Sequence, residues 1–281
     1  MLKSKKILAP AKINLCLHVL GRRSDGYHDL AMLMQRVALY DRLTIELAPG
    51  DRVTVVCPGC ELADNQPNIA ERSARLLLAH AGLQRDVSIR ITKQIPVAAG
   101  LGGGSSDAAA VLLALDELLA LDLPRAELLQ LGMQLGADVP FFLYGQTAWA
   151  TGVGDRLRPW PGLPPLWLVL VNPGIAVSTA SVFRNLRLTH PGPIAKLPGF
   201  PAETSALVRL LHNDLEAVTC QKYPVITTIK EQLVASGARG ALMSGSGSTV
   251  FGLFDDRNSA AGAAGQLAEN TGWWVRVVTP V

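Results

Sequence analysis

Thirteen consecutive residues constrain this chain more than any others: Pro96-Val-Ala-Ala-Gly-Leu-Gly-Gly-Gly-Ser-Ser-Asp-Ala108. Before them, Val87, Ile89 and Ile91 alternate with Ser88, Arg90 and Thr92, the period of a strand with one buried face. After them, an Ala/Leu-rich segment runs to about Leu121 and is apolar nearly all round, which predicts a helix buried on most sides. Glycine lets a backbone adopt positive φ and lets another group come close to the main chain. A helix that begins near Ser105 aims its unpaired N–H groups back at this loop, and its dipole adds about half a positive charge there. A loop of this kind is an anion site, and phosphate is its usual guest.

The common phosphate patterns do not fit. The Walker loop requires Gly-Lys-Ser/Thr, and no Gly-Lys pair occurs in the chain. The dinucleotide fingerprint begins at Gly100 and Gly102, but Ser105 stands where its third glycine belongs. The preceding segment also alternates, whereas a buried parallel strand reads as continuously apolar. Protein kinases carry His-Arg-Asp and Asp-Phe-Gly, and neither is present. A flexible Gly/Ser linker does not explain a loop wedged between a strand and a buried helix.

Composition narrows the setting. With 281 residues, 49% hydrophobic and 17% charged, the chain can bury a sizeable core, which argues against disorder. A net charge of +3 without a basic stripe argues against a nucleic-acid partner; Lys3, Lys5 and Lys6 read as a solvated terminus. No apolar run approaches the ~20 residues that cross a bilayer, and no hydrophobic signal segment precedes Pro10, so the expectation is a cytoplasmic protein without a membrane partner. Cys57-Pro-Gly-Cys60 lacks a second ligand pair for zinc and follows the strand-like Val53–Val56, so it reads as a turn rather than a metal or redox site.

Further elements follow from pattern. Alternation from Ala9 to Val19 predicts a strand, with Lys12 and Asn14 on its polar face. Ser24-Asp-Gly26 is a turn, and Leu43–Leu47 and Val53–Val56 are strands. Asn68-x-x-Glu71 is a capping-box pattern opening a helix that stops at Gly82. A helix runs from about Pro124 to Gly136, and a short strand covers Thr147–Ala150. The Pro/Gly-rich stretch from Pro159 to Pro165 marks the approach to a domain boundary. Beyond it, Leu166–Val171, 240–243, 249–254 and 273–279 read as strands, and 204–211, 213–221, 224–236 and 258–270 as helices. The fold class is α+β, with two domains and mainly antiparallel sheets.

Three segments together resemble the GHMP kinase superfamily. Ala9-Pro-Ala-Lys-Ile-Asn-Leu15 is similar to its first motif, the Gly-rich run to its second, and Met243-Ser-Gly-Ser-Gly-Ser-Thr-Val-Phe251 to its third. They stand in the family's order and span most of the chain. The resemblance implies an N-terminal domain like the second domain of ribosomal protein S5, over 1–160, and a ferredoxin-like C-terminal domain, over 161–281, with the active site in the cleft between them. Arg22-Arg-Ser-Asp-Gly-Tyr-His28 and Leu135-Gly-Ala-Asp-Val-Pro-Phe141 resemble one branch of that superfamily. Its members transfer phosphate from ATP to the 2-hydroxyl of a cytidine-diphosphate-linked methylerythritol in non-mevalonate isoprenoid synthesis. One departure is that Ala98 and Ala99 stand where some members carry glycines, and alanine resists positive φ.

The resemblance also implies roles. Asp138, which in isolation reads as a helix N-cap, becomes the base for the substrate hydroxyl, and Lys12 becomes catalytic by holding that carboxylate ionised and offsetting phosphate charge. The ATP site would comprise Pro96, Val97, Ala98, Ala99, Gly100, Leu101, Gly102, Gly103, Gly104, Ser105 and Ser106, with Lys93 and Asn68 toward the nucleoside; on sequence alone Asn68 is foremost a cap. Tyr27 and His28 would stack on the cytosine and Asn14 would orient the substrate, which carries a cytidine diphosphate group. Mg2+ would accompany ATP, with Ser105 or Ser106 among the groups that help hold it and its other ligands left open. Monomer and homodimer both stay open. The competing readings are a kinase for another small alcohol, such as homoserine or mevalonate, and a non-catalytic nucleotide-binding module. The Gly-Tyr-His segment argues against the former, and the presence of both Lys12 and Asp138 against the latter.

Overall fold

A computed structural model describes residues 3–59, 68–187, 204–270 and 272–281, so Cys60 of the Cys57 pair lies outside the described residues. In chain order the elements are β1 (Lys3–Arg22), β2 (His28–Ala48), β3 (Val53–Val56), α1 (Ile69–His80), β4 (Asp86–Thr92), α2 (Gly103–Leu119), α3 (Arg125–Leu135), α4 (Val139–Tyr144), β5 (Ala148–Gly152) and β6 (Arg156–Pro159). They continue with β7 (Trp167–Asn172), α5 (Thr179–Asn185), α6 (Thr204–Val208), β8 (His212–Asn213), α7 (Glu216–Lys222), α8 (Val225–Ala235), β9 (Gly240–Met243), β10 (Val250–Phe254), α9 (Arg257–Ala268) and β11 (Trp274–Val278). Two compact units result. The first comprises Met1–Ala11, Leu39–Val97 and Gly102–Gly145; the second comprises Lys12–Ala38, Ala98–Leu101 and Gln146–Val281.

In the first unit, β4 is the organising strand. It runs antiparallel to β2 from Arg42 opposite Thr92 to Ala48 opposite Asp86, and parallel to β3 from Val53 opposite Val87 to Val56 opposite Arg90. Its period of two holds: Val87, Ile89 and Ile91 are buried while Ser88, Arg90 and Thr92 face solvent. Helix α2 packs on α1, where the buried Ser73 hydroxyl donates to the Ala108 carbonyl at 2.8 Å. Nearly every residue of α2 from Ser106 to Leu115 is buried, as its all-round apolar sequence requires. Asn68 caps α1, its Oδ1 accepting the Ala70 N–H at 2.9 Å. The capping-box pattern is only half realised, because Glu71 turns to Arg75 on the same face, at 2.8 Å.

In the second unit, β7, β9, β10 and β11 form an antiparallel sheet in the order β11-β7-β10-β9. Helices α5 to α8 lie between β7 and β9 in the chain, and α9 lies between β10 and β11; this is the ferredoxin-like order. Helix α8 packs on β9 and β10, and α9 on β7 and β11. Elsewhere in this unit β1 pairs in parallel with β8, and β2 runs antiparallel to β5, from Leu30 opposite Gly152 to Met34 opposite Ala148.

Several elements depart from the sequence expectation. β2 begins at His28, not Leu43, because Leu30 to Gln35 are all buried and a strand covered on both faces shows no alternation. β1 likewise has no solvated polar face at its centre: Lys12 is 4% exposed and Asn14 1%. Helix α4 starts directly after Asp138, with Pro140 in its first turn, where a proline's missing N–H costs nothing. The isolated sequence signal at Asn68 is tested by Asn68→Ala, which should lower unfolding free energy by about 1 kcal/mol in urea titrations with the m-value unchanged.

Candidate active site

The third motif folds into a buried turn, and its geometry explains its composition. Ser244, Ser246, Ser248 and Thr249 are all nearly inaccessible to solvent, so each hydroxyl needs a partner. Ser244 donates to the Gly100 carbonyl at 2.9 Å, and Ser248 to the Ile175 carbonyl at 2.6 Å. Ser246 meets Thr179 at 2.8 Å, and Thr249 accepts from the Asn172 amide at 2.9 Å. The carbonyls of Met243 and Gly245 both accept from the Asn213 side chain at 2.8 Å. Thr219 donates to the Ser246 carbonyl at 3.2 Å, and Glu216 accepts the Met243 N–H at 2.8 Å. The turn is thus gripped from β7, β8, α5 and α7.

The Gly-rich loop docks on this turn by its carbonyl groups. The Ala99 carbonyl accepts from the Thr249 N–H at 3.1 Å, the Gly100 carbonyl from Ser244, and the Leu101 carbonyl from the Lys12 N–H at 2.9 Å. With these three acceptors occupied, the start of α2 that follows still offers its first-turn N–H groups. Gly100 is obligatory here: its φ is +78°, and a Cβ at this position would lie 2.1 Å from the Ser244 carbonyl oxygen. Ala98 adopts φ +52°, a left-handed conformation that strains an alanine by roughly 1–2 kcal/mol. Lys12 and Asn14 face the same turn. The Lys12 ammonium donates to Asn14 Oδ1 at 2.7 Å, and the two atoms lie 3.4 and 3.5 Å from where a Cβ on Gly245 would stand.

The first unit holds the remaining motif residues. The N–H groups of the first turn of α2 follow Gly102, which takes the N-cap position with φ +71° and supplies no side-chain cap. Such a terminus attracts an anion. Lys93 does not point an unengaged ammonium at a nucleoside: it sits between Asp41 and Asp107, the latter at 2.8 Å. Asp41 also accepts the N–H groups of Gln94 and Ile95 at 2.6 and 2.9 Å and so fixes the turn leading into the loop. Burial pushes the Asp107 carboxyl up to about 7 despite the opposing pull of Lys93. Asp138 occupies the N-cap position of α4 but makes no side-chain cap bond to that helix, so its carboxylate is not explained by capping.

In the second unit Tyr27 is exposed at the tip of the β1–β2 turn, where its N–H is held by Asp25 at 3.0 Å. The His28 ring stacks on Phe183 of α5 with centroids 4.8 Å apart. Burial, and then Arg22, hold the His28 imidazole below its ordinary range, which favours the neutral ring. Phe183 was not singled out in the sequence; it lies 155 residues from His28 in an unremarkable segment, and only the fold brings the rings together. Asn172, Asn213 and Thr219 were missed for the same reason: Asn172 follows an expected strand, Asn213 and Thr219 fall inside the helix expected over 213–221, and nothing local marks their partners; Asn213 in fact ends β8.

The family models "GHMP kinases N terminal domain" and "GHMP kinases C terminal" match residues 68–146 and 199–271. A 4-diphosphocytidyl-2-C-methyl-D-erythritol kinase of Syntrophotalea carbinolica is 56% identical over 277 residues, 99% of each chain. The chain belongs to the GHMP kinase family. A crystal structure of 4-(cytidine 5'-diphospho)-2C-methyl-D-erythritol kinase superposes with a TM-score of 0.80 at 40% identity, covering 98% of this chain and 99% of that one. A homoserine kinase from Cytophaga hutchinsonii superposes with a TM-score of 0.78 at 22% identity, covering 99% and 95%, and shares the fold. The two-domain GHMP architecture expected from the three motifs is therefore the one observed.

The loop geometry predicts opposite outcomes at two neighbouring positions. Gly100→Ala should destabilise the protein by at least about 2 kcal/mol, because the clash is with main chain and no rotamer relieves it. Ala98→Gly should raise stability by up to about 1 kcal/mol, the strain relieved less the added freedom of the unfolded chain. Urea unfolding midpoints of the two variants check both signs.

Proposed function

We propose that this chain is an ATP-dependent kinase that phosphorylates the 2-hydroxyl of 4-diphosphocytidyl-2-C-methyl-D-erythritol, in the formation of isoprenoid precursors. The observation that carries the reading is the buried pair Lys12 and Asn14 beside a loop whose Ala99, Gly100 and Leu101 carbonyls are engaged and a turn built from the third GHMP motif. Full-length identity to kinases of that name, well above the level shared with a homoserine kinase, supports the specific substrate. ATP is the phosphate donor, and a cytidine diphosphate group marks the acceptor.

In this reading the loop from Pro96 to Ser106 cradles the ATP phosphates through the main-chain N–H groups of the residues after Pro96. Asp138 accepts the proton of the substrate hydroxyl. The oxygen then bonds to the γ-phosphorus as the bond to the β-phosphate oxygen breaks, releasing ADP. Lys12 offsets charge that gathers on the transferred oxygens. Such a base contributes about 10²–10⁴-fold. Asn14 orients the acceptor, and Tyr27, His28 and the adjacent Phe183 receive the cytosine ring; a base–aromatic stack is worth about 1–3 kcal/mol. The neutral His28 imidazole can both donate to and accept from a base edge. Asn68 and Lys93 are assigned to the nucleoside side more weakly, because each already has a structural partner.

Mg2+ fits the start of α2. Ser106 Oγ and Asp107 Oδ1 are buried there without a hydrogen-bond partner, and both are hard oxygen donors of the kind this ion takes. When bound, it neutralises the charge of the ATP phosphates. The division into domains at 1–160 and 161–281 belongs to the same proposal, supported by a first family model ending at 146 and a second starting at 199. None of the helices among the described residues is long and apolar enough to cross a membrane; a cytoplasmic location is part of the same proposal. Monomer and homodimer are both compatible with this reading.

Two measurements test it. ATP consumption should be robust with the cytidylyl substrate and at background with mevalonate or homoserine; the reverse pattern overturns the substrate assignment. Asp138→Asn should lower kcat by at least ~10²-fold while ATP still binds, and near-normal turnover would exclude this carboxylate as the base.

A further inference from the structure

The second unit contains a cluster that the phosphoryl-transfer reading does not use. His18 lies half-buried on β1, His212 opens β8 on the surface, and Asp214 follows β8 directly. Each offers a ligand atom within 4.8 Å of the others'. The imidazoles stack with centroids 4.4 Å apart and planes inclined by 14°. β8 pairs with β1 in parallel, Cys16 opposite His212, so strand register brings the two histidines to the same place.

Asp214 is positioned as a preset ligand is. Its N–H donates to the Leu17 carbonyl at 3.0 Å, and its Oδ2 accepts the Val19 N–H at 2.7 Å. That leaves Oδ1 turned to the imidazoles, 2.6 Å from His212 Nε2. A ligating carboxylate with its second oxygen held by the main chain is the usual arrangement around bound metals. Two imidazoles and one carboxylate suit a borderline divalent ion such as Zn2+, Co2+ or Ni2+; Mg2+ and Ca2+ prefer all-oxygen shells. Three protein ligands with a fourth position open to solvent complete a tetrahedron. Bonds of about 2.0–2.1 Å place tetrahedral ligand atoms about 3.4 Å apart, so a gap of up to 4.8 Å must close by as much as about 1.4 Å while Asp214 Oδ1 and His212 Nε2, now 2.6 Å apart, move outward; His212, on the surface, is the ligand with room to adjust.

We propose that His18, His212 and Asp214 bind one divalent transition-metal ion of the zinc class. The ion ties β8 to β1. Asn213, between two of the ligands, is the residue whose amide holds the Met243 and Gly245 carbonyls of the buried turn. Metal binding therefore stiffens the support of that turn from outside it, and its effect is on stability rather than chemistry.

The test uses the untagged full chain, stripped with a chelator and free of nucleotide. Zn2+ titrated against a chromophoric chelator should bind at one equivalent with a dissociation constant in the micromolar range or tighter. Excess Zn2+ should raise Tm by about 5 °C, and Co2+ should give the visible absorption of a four-coordinate site. His212→Ala, on the surface, and His18→Ala should each weaken Zn2+ binding at least about tenfold; His80→Ala, in the first unit, should not change it. The proposal is overturned if the parent chain binds no stoichiometric Zn2+ or Co2+, or if His212→Ala retains parental affinity. The Co2+ spectrum of the parent chain decides the matter even should His18→Ala misfold. No substrate enters these measurements, so their failure leaves the kinase reading untouched.

Discussion

The approach of the Gly100 main chain to the Ser244 carbonyl is the contact on which the candidate site depends. It admits no side chain, since a Cβ would overlap the carbonyl oxygen, and it sets the spacing at which three successive loop carbonyls find donors. The result is a sorting of polarity along the backbone. Acceptors at Ala99, Gly100 and Leu101 are consumed inside the second unit, and the next residues of the chain open a helix whose first N–H groups have no intrahelical partner. With these three carbonyls in use, the N–H groups at the start of α2 are left to offer an anion although the loop contains no cationic side chain. The strain at Ala98 is tolerated because the neighbouring carbonyls are bound in sequence and fix the loop on both sides.

Charge in the first unit is arranged by a comparable economy. One ammonium, Lys93, serves two carboxylates, and one of these, Asp41, spends its other oxygen on two main-chain N–H groups at the turn before the loop. Breaking such a buried network by removing one member costs more than the network contributes when intact. Lys93 is therefore the post on which the entry to the loop is hung.

Local signals were legible in the sequence where a single element decides the outcome. The period of β4, the Asn68 cap and the all-round apolar face of α2 follow from residues a few positions apart. The first half of β2 was not legible, because burial on both faces erases alternation at Leu30 to Gln35. Lys12 was placed on a polar face, and the face is polar, but it is covered by the Gly245 turn, which no strand pattern reveals. The motifs identified Lys12, Asn14 and the loop. They did not identify Asn172, Asn213, Thr219 or Phe183, whose importance lies in partners from distant segments. Resemblance supplied Asp138, and the fold adds that this residue does not do the capping work its position would suggest.

The hydrogen bond from the Asn14 N–H to Ser244 Oγ closes a span of 230 residues. Contacts of that separation are the slowest to form, since chain entropy must be lost before they return anything. On the ribosome, synthesised from the N-terminus, the strand carrying Lys12 and the loop carrying Gly100 emerge long before Ser244 and Thr249. Until those residues appear, the Ala99 and Gly100 carbonyls lack their donors and only the Lys12 N–H to the Leu101 carbonyl can hold the loop next to the left-handed Ala98. The docked form of this loop is thus a late product of synthesis, and a nascent or truncated chain that ends before the third motif has the Gly-rich motif in sequence but lacks the Ser244 and Thr249 donors that hold it.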